Sequence, residues 1–112
     1  MQELMKKLSL FAKERDWEQF HSPKNLSMAL AVETAEIMEH FQWLTEEQSR
    51  NLDPKTLEKV KEEIGDAQIY LARLADQLGI DPIAAANEKL VKNATKYPIE
   101  KAKGSAKKYT EL

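Results

Sequence analysis

From Asp53 to Gly79 the sequence carries one unbroken helical pattern, and no other stretch restricts the fold so tightly. Asp53 followed by Pro54 is a helix start, because the carboxylate caps free backbone N–H groups and proline loses nothing at a first position whose N–H is unpaired anyway. Val60, Ile64, Ala67, Leu71, Leu74 and Leu78 then recur at steps of four and three, the period of one apolar helical face, and Gly79 ends the run. Asp81 and Pro82 repeat the start signal for a further helix to about Tyr97, which Pro98 closes. Upstream, Met1 to about Glu14 reads as a short amphipathic helix with Leu4, Leu8 and Phe11 on one face. Arg15 to Lys24 reads as an ordered loop, about Leu26 to Trp43 as another helix, and Thr45 to Leu52 as a polar connection with room for a helical turn.

Only three Gly and four Pro are available for turns, too few for a sandwich or barrel of many short strands. The expected fold is therefore all-α, a four-helix bundle over residues 1–98 followed by a lysine-rich tail at 99–112. A chain of 112 residues is one domain's worth, and 42% apolar with 32% charged residues suits a compact, highly charged helical protein. The lack of cysteine excludes disulfide frameworks, thiol catalysis and Cys-ligated zinc. No apolar run approaches the roughly 18 residues of a spanning helix, so a soluble, cytoplasmic protein without a membrane partner is expected. A net charge of -2 gives the whole molecule no reason to bind nucleic acid. Charge is nonetheless segregated: residues 1–88 hold 10 Lys/Arg against 17 Asp/Glu, and residues 89–112 hold seven Lys against two Glu.

Glutamates stand where aliphatic residues belong on the helix from Leu26. Its apolar row of Leu26, Leu30, Ile37 and Leu44 is interrupted by Glu33, and the neighbouring row of Ala29, Val32, His40 and Trp43 by Glu36. An ionised carboxylate removed from water costs several kcal/mol unless it is paired or coordinated. No Lys or Arg lies between Leu26 and Trp43 to neutralise these two. The Asp53–Gly79 helix adds Glu63 and Asp66, with Tyr70, along the edge of its core stripe. One such pair alone ordinarily decorates a solvated face; two pairs, one of them inside apolar rows, call for a cation. Oxygen ligands without His or Cys at ligand spacing suit Mg²⁺, with Mn²⁺ possible, and such a metal keeps waters and grips phosphates.

Rings and lysines flank this acidic set. Trp17, Phe20 and His21 lie just before the acidic helix and Trp43 at its far end, an arrangement suited to stacking a nucleobase, although tryptophan in a small bundle more often serves the core or an interface. Lys89, Asn93 and Lys96 fall at i, i+4 and i+7, a basic strip able to hold phosphates.

The spacing Glu33-Thr-Ala-Glu36, 26 intervening residues, then Glu63-Ile-Gly-Asp66 resembles the ExxE…ExxD mark of the MazG-like all-α nucleoside triphosphate pyrophosphohydrolase superfamily. The stretches RDWEQFHSPKNL at 15–26, FQW at 41–43, IYL at 69–71 and KYTEL at 108–112 are similar to its dCTP pyrophosphatase branch. The resemblance implies an Mg²⁺-dependent enzyme with a house-cleaning role, which converts dCTP or a related or modified dNTP to the monophosphate and pyrophosphate. It further implies assembly as a homodimer or, as a dimer of dimers, a homotetramer. Glu33, Glu36, Glu63 and Asp66 would then be the catalytic metal ligands, Trp17, His21 and Trp43 the base pocket, and Tyr70 the sugar contact. Lys89, Asn93 and Lys96, with Lys24 and Tyr97, would hold phosphates. Asn93-Ala-Thr-Lys96 departs from the arginine-richer form of that branch, which weakens bidentate phosphate grip. Two alternatives stand within the superfamily, a dUTPase-like enzyme and a phosphoribosyl-ATP pyrophosphohydrolase. A third lies outside it: a non-catalytic, metal-stabilised helical interaction module.

Overall fold

Each proline-led start becomes a capped helix. In the computed structural model, which describes residues 1–112, every regular element is helical. The first of two compact units, Met1–Ile80, holds α1 (Gln2–Glu14), a 3-10 turn at Glu18–Phe20, α2 (Pro23–Glu39), α3 (Glu46–Ser49) and α4 (Pro54–Gln77). The second, Asp81–Leu112, holds α5 (Pro82–Lys96), α6 (Ile99–Ala102) and a 3-10 turn at Tyr109–Glu111. The four long helices expected are thus α1, α2, α4 and α5, three in the first unit and one in the second. No helix is long and apolar enough to cross a membrane.

Asp53 accepts from the Thr56 N–H at 2.8 Å, and Asp81 from the Ile83 and Ala84 N–H groups at 3.0 and 3.1 Å, as the Asp-Pro pairs predict. Gly79, at a left-handed φ of 66°, ends α4: its N–H donates to Asp76 O and that of Ile80 to Ala75 O, which satisfies two carbonyls of the last turn. Two boundaries differ from expectation. α2 begins at Pro23 because Ser22 caps it, its Oγ accepting from the Asn25 N–H at 3.1 Å. It ends at Glu39 instead of Trp43, since the His40 and Phe41 N–H groups donate three residues back to Ile37 and Met38, tightening the chain into turns. The polar connection does hold a helical turn, α3, closed by a capping box between Thr45 and Gln48.

In the first unit α2 packs along α4, and α1 lies against α4 at its C-terminal half. Ala72 and Ala75 are small enough to let α1 approach, and Met5 fills the space with Met1, Leu4 and Leu8 around it. The core face of α4 is rotated from the expected stripe. Val60 is buried and Ala67 and Leu74 half-buried, but Ile64, Leu71 and Leu78 are exposed. The face actually covered runs through Thr56, Val60, Glu63, Ala67, Tyr70 and Leu74, so Glu63 sits within the packed face and not beside it. In the second unit the tail folds back, with the Tyr109 ring edge-on to Tyr97 at 6.0 Å and beneath the Lys96 ammonium at 4.8 Å.

Candidate functional site

Packing α2 on α4 brings three glutamates together. Ligand oxygens of Glu33, Glu36 and Glu63 all lie within 4.8 Å of one another, and all three side chains are half-buried. Asp66 is more exposed but close enough for its charge to act on Glu33. Glu33 Oε2 and Glu63 Oε2 are buried without a hydrogen-bond partner. The one basic group nearby is His40, whose Nε2 stands 3.8 Å from Glu63 Oε1.

Crowding of like charges shows in proton affinity. Burial, followed by the carboxylates of Glu36, Asp66 and Glu63, pushes Glu33 up to about 7. Glu63 is raised as well, first by contact with the Glu36 carboxyl and then by burial, with His40 acting in the opposite direction. Such a set is chemically incomplete: oxygens without donors, at ligand spacing, match the oxygen shell of a hard divalent cation. Glu33, Glu36 and Glu63, with Asp66, could hold one.

Further along α4 a second feature forms from the loop between α1 and α2. Asp16 takes a left-handed φ of 53°, which aspartate tolerates, and Gln19 braces the turn by donating to Asp16 O at 3.0 Å. This sets Trp17 edge-on to Phe11 at 5.8 Å and 6.3 Å from the His21 ring. Trp17 and His21 meet Tyr70 and Arg73 of α4 around a cavity of ≈ 70 Å³, closed on its apolar side by Leu8, Phe11, Ala12 and Ile69. At about 30 Å³ per water the space admits a ring edge and not a whole nucleoside. A wider cavity of ≈ 280 Å³, with His40, Gln48, Asp53 and Thr56 in its wall, contains no aromatic ring other than the imidazole.

Of the ring residues expected to act together, Trp17 and His21 do so, joined by Tyr70; Trp43 is 87% exposed on the turn after α2 and does not line this cavity. Lys24 lies exposed in the first turn of α2. Lys89, Asn93 and Lys96 share a face of α5 in the second unit, where Asn93 is half-buried and Tyr97 forms the C-cap.

Arg73 is the residue that the sequence reading did not single out. It is 2% exposed, donating from Nε to His21 Nδ1 at 3.3 Å and from Nη1 to Asp76 Oδ2 at 3.3 Å. The signal was present, because Glu63, Asp66, Tyr70 and Arg73 follow at i, i+3, i+7 and i+10, a single helical row. Burial and the Arg73 cation together hold His21 below its ordinary 6.5.

Comparison with known proteins identifies the family and the fold. Residues 28–112 match the MazG-like family. The chain is 44% identical over 104 residues to dCTP pyrophosphatase 1 of Mus musculus and 42% identical to that of Homo sapiens, covering 91% of this chain. It spans 61% of the length of these curated relatives. A crystal structure of a pyrophosphatase from Archaeoglobus fulgidus superposes with a TM-score of 0.77 at 40% identity, over 88% of this chain and 92% of that one.

Proposed function

Because the chain belongs to the MazG-like family, we propose that it is a nucleoside triphosphate pyrophosphohydrolase, which cleaves a dNTP to the monophosphate and pyrophosphate. The observation that carries this reading is the convergence of Glu33, Glu36 and Glu63 from two helices with two buried carboxylate oxygens unpaired. The names of the mouse and human relatives support dCTP as the substrate; a related or modified dNTP, and a role in clearing the cytoplasmic nucleotide pool, belong to the same reading.

In this reading Glu33, Glu36, Glu63 and Asp66 hold Mg²⁺, for which Mn²⁺ can substitute. When bound, the ion would supply Lewis acidity, neutralising phosphate charge and activating water. The chain's own residues do the rest. Glu33, with a pKa of about 7, keeps a proton near neutrality and releases it when positive charge arrives. Trp17 and His21, with Tyr70, receive the base and sugar edge; Trp43, exposed outside this cavity, is assigned to the base by the family resemblance alone. Lys89, Asn93 and Lys96, with Lys24 and Tyr97, hold phosphate oxygens, for which ammonium and amide donors are suited. No covalent nucleophile is required, since no Ser or Thr is paired with a histidine base.

Assembly as a homodimer or homotetramer belongs to the same reading. Leu57, Ile64, Leu71 and Leu78 form an exposed apolar row at seven-residue intervals on α4, with Met28 and Val32 of α2 also exposed. So much apolar surface on a small chain suits burial against another copy.

A screen of the common and modified dNTPs for pyrophosphate release, with and without EDTA, tests the function. Mg²⁺-dependent release from dCTP or a close analogue is expected. Orthophosphate release, or no hydrolysis of any dNTP, contradicts it, and the latter result leaves the non-catalytic helical module. Sedimentation tests the assembly; a fully active monomer would refute it.

A further inference from the structure

A guanidinium almost wholly removed from water is costly, and one with a nitrogen left unpaired is costlier still. Arg73 is such a group: 2% exposed, with Nη2 buried and without an acceptor. Its single anionic contact, Asp76, is itself only partly buried. Stability alone would favour an aliphatic side chain here, since a buried ion pair is often no better than a well-packed hydrophobic group. The remaining contact is the informative one. Arg73 Nε–H points at His21 Nδ1 across 52 residues of sequence, tying the aromatic loop to α4 at the wall of the ring cavity.

That contact settles what His21 can offer. A guanidinium only donates, so Nδ1 must be bare, and a neutral imidazole then carries its proton on Nε2. We propose that Arg73 is a specificity-determining positioning residue: by fixing His21 as the Nε2–H tautomer, it makes the cavity wall a hydrogen-bond donor, selecting flat heteroaromatic rings with an acceptor on the edge. This rests on the nucleotide-hydrolase reading and adds to it the feature of the base that is read.

The argument is one of sign. Left unpaired at both nitrogens, an imidazole can donate or accept at either position, and rings with opposite edge chemistry bind about equally. Held by Arg73, it satisfies an unprotonated ring nitrogen and meets a protonated one donor to donor. A site built around one hydrogen bond rejects the ring that cannot make it, because a buried donor is then stranded. Cytosine and uracil differ in this way at their Watson–Crick edge, one carrying a bare ring nitrogen where the other carries an N–H. Trp17 and Tyr70 contribute stacking surface that any base can use, so discrimination falls to the polar contact.

The test uses the full chain with Arg73→Met, which keeps bulk and removes charge, and Arg73→Gln, which keeps an amide donor. Imidazole ¹⁵N spectra of the two histidines, assigned by comparison with His21→Asn, report tautomer and titration without substrate. Steady-state kinetics with Mg²⁺ on dCTP, dUTP and dTTP report selection. In Arg73→Met the His21 titration should move upward and the Nε2–H form lose its exclusivity. KM for the preferred nucleotide should rise about tenfold, the equivalent of roughly 1.4 kcal/mol, while kcat stays within about twofold and the preference order flattens. Arg73→Gln should recover much of the preference. Unchanged His21 spectra and an unchanged preference order in a folded Arg73→Met would overturn the proposal. If Arg73→Met does not fold, loss of preference in Arg73→Gln together with unaltered His21 spectra overturns it equally. Absence of hydrolysis in the wild type would refute the enzymatic reading instead, and the spectra would still decide whether Arg73 governs His21.

Discussion

Two regions on one row of α4 are left incomplete in opposite senses. Around Glu63, three carboxylates crowd together with no Lys or Arg between Leu26 and Trp43 to balance them, and Glu33 is driven to hold a proton near neutrality. Around Arg73, a buried cation has one partly exposed carboxylate and an imidazole for company. Ten residues separate Glu63 from Arg73, about 15 Å along a helix. The first region lacks positive charge and the second has a surplus of donors. A metal-bound nucleotide would complete the first with its cation, while its base completes the second. On the proposed reading, the unsatisfied groups at the two ends of this packed face would serve one ligand.

If the acidic region is where chemistry occurs, its variants should show the largest effect. Glu36→Gln should lower kcat about 100-fold at saturating Mg²⁺, equivalent to roughly 2.7 kcal/mol. Asp66→Asn, at the exposed edge of the set, should lower it about tenfold. Retained turnover in both would separate the carboxylates from the reaction and dissolve the comparison.

The ring region should respond differently. Trp17→Ala should raise KM about tenfold through lost stacking and leave kcat nearly unchanged. Lys96→Ala should weaken all triphosphates alike, because the phosphates are common to them. Kinetics on several dNTPs distinguish the two patterns. An equal loss on every substrate for Trp17→Ala, with the preference order intact, would make Trp17 structural and direct the search for the base to Trp43.

A smaller effect concerns stability without metal. Removing one of three mutually repelling carboxylates should stabilise the fold, so Glu36→Gln should melt about 4 °C higher than wild type in EDTA, for roughly 1 kcal/mol. Stability without metal should also depend on pH. Glu33 binds its proton more tightly folded, near 7, than at its ordinary 4.5. Its contribution is therefore full below about 4.5 and lost as pH rises through about 7. The metal-free Tm should fall between about pH 5 and pH 8, and Mg²⁺ should remove the fall. A metal-free Tm that climbs over this range would show that the carboxylates are already neutralised within the chain.

Much of this was legible in the residues. Asp53-Pro54, Asp81-Pro82 and Gly79 announced their boundaries because capping and left-handed φ are local chemistry. The anomaly of Glu33 and Glu36 was legible because charge in an apolar row violates a simple periodicity. The rotation of α4 was not: Val60 fits either face, and only packing against α2 chooses Glu63 and Tyr70 over Ile64 and Leu71. Arg73 was hidden for the same reason, since a charged residue at i+10 reads as solvent-facing until the face turns inward. The end of α2 was missed because the aromatics from His40 to Trp43 continue the periodic pattern after the His40 and Phe41 N–H groups have shifted to three-residue spacing.

The most direct test of the acidic region is calorimetric titration of the apo-protein with Mn²⁺ at pH 7, in two buffers of different ionisation enthalpy. Saturable binding should release about half a proton per ion, because Glu33 is about half protonated there and must give up that proton to bind. Release should shrink in Glu33→Gln, where Glu63 is the remaining raised carboxyl, and vanish at about pH 9. Absence of saturable binding, or full-strength binding in a Glu33→Gln/Glu36→Gln double variant, would contradict the claim that these carboxylates are held together for a divalent cation.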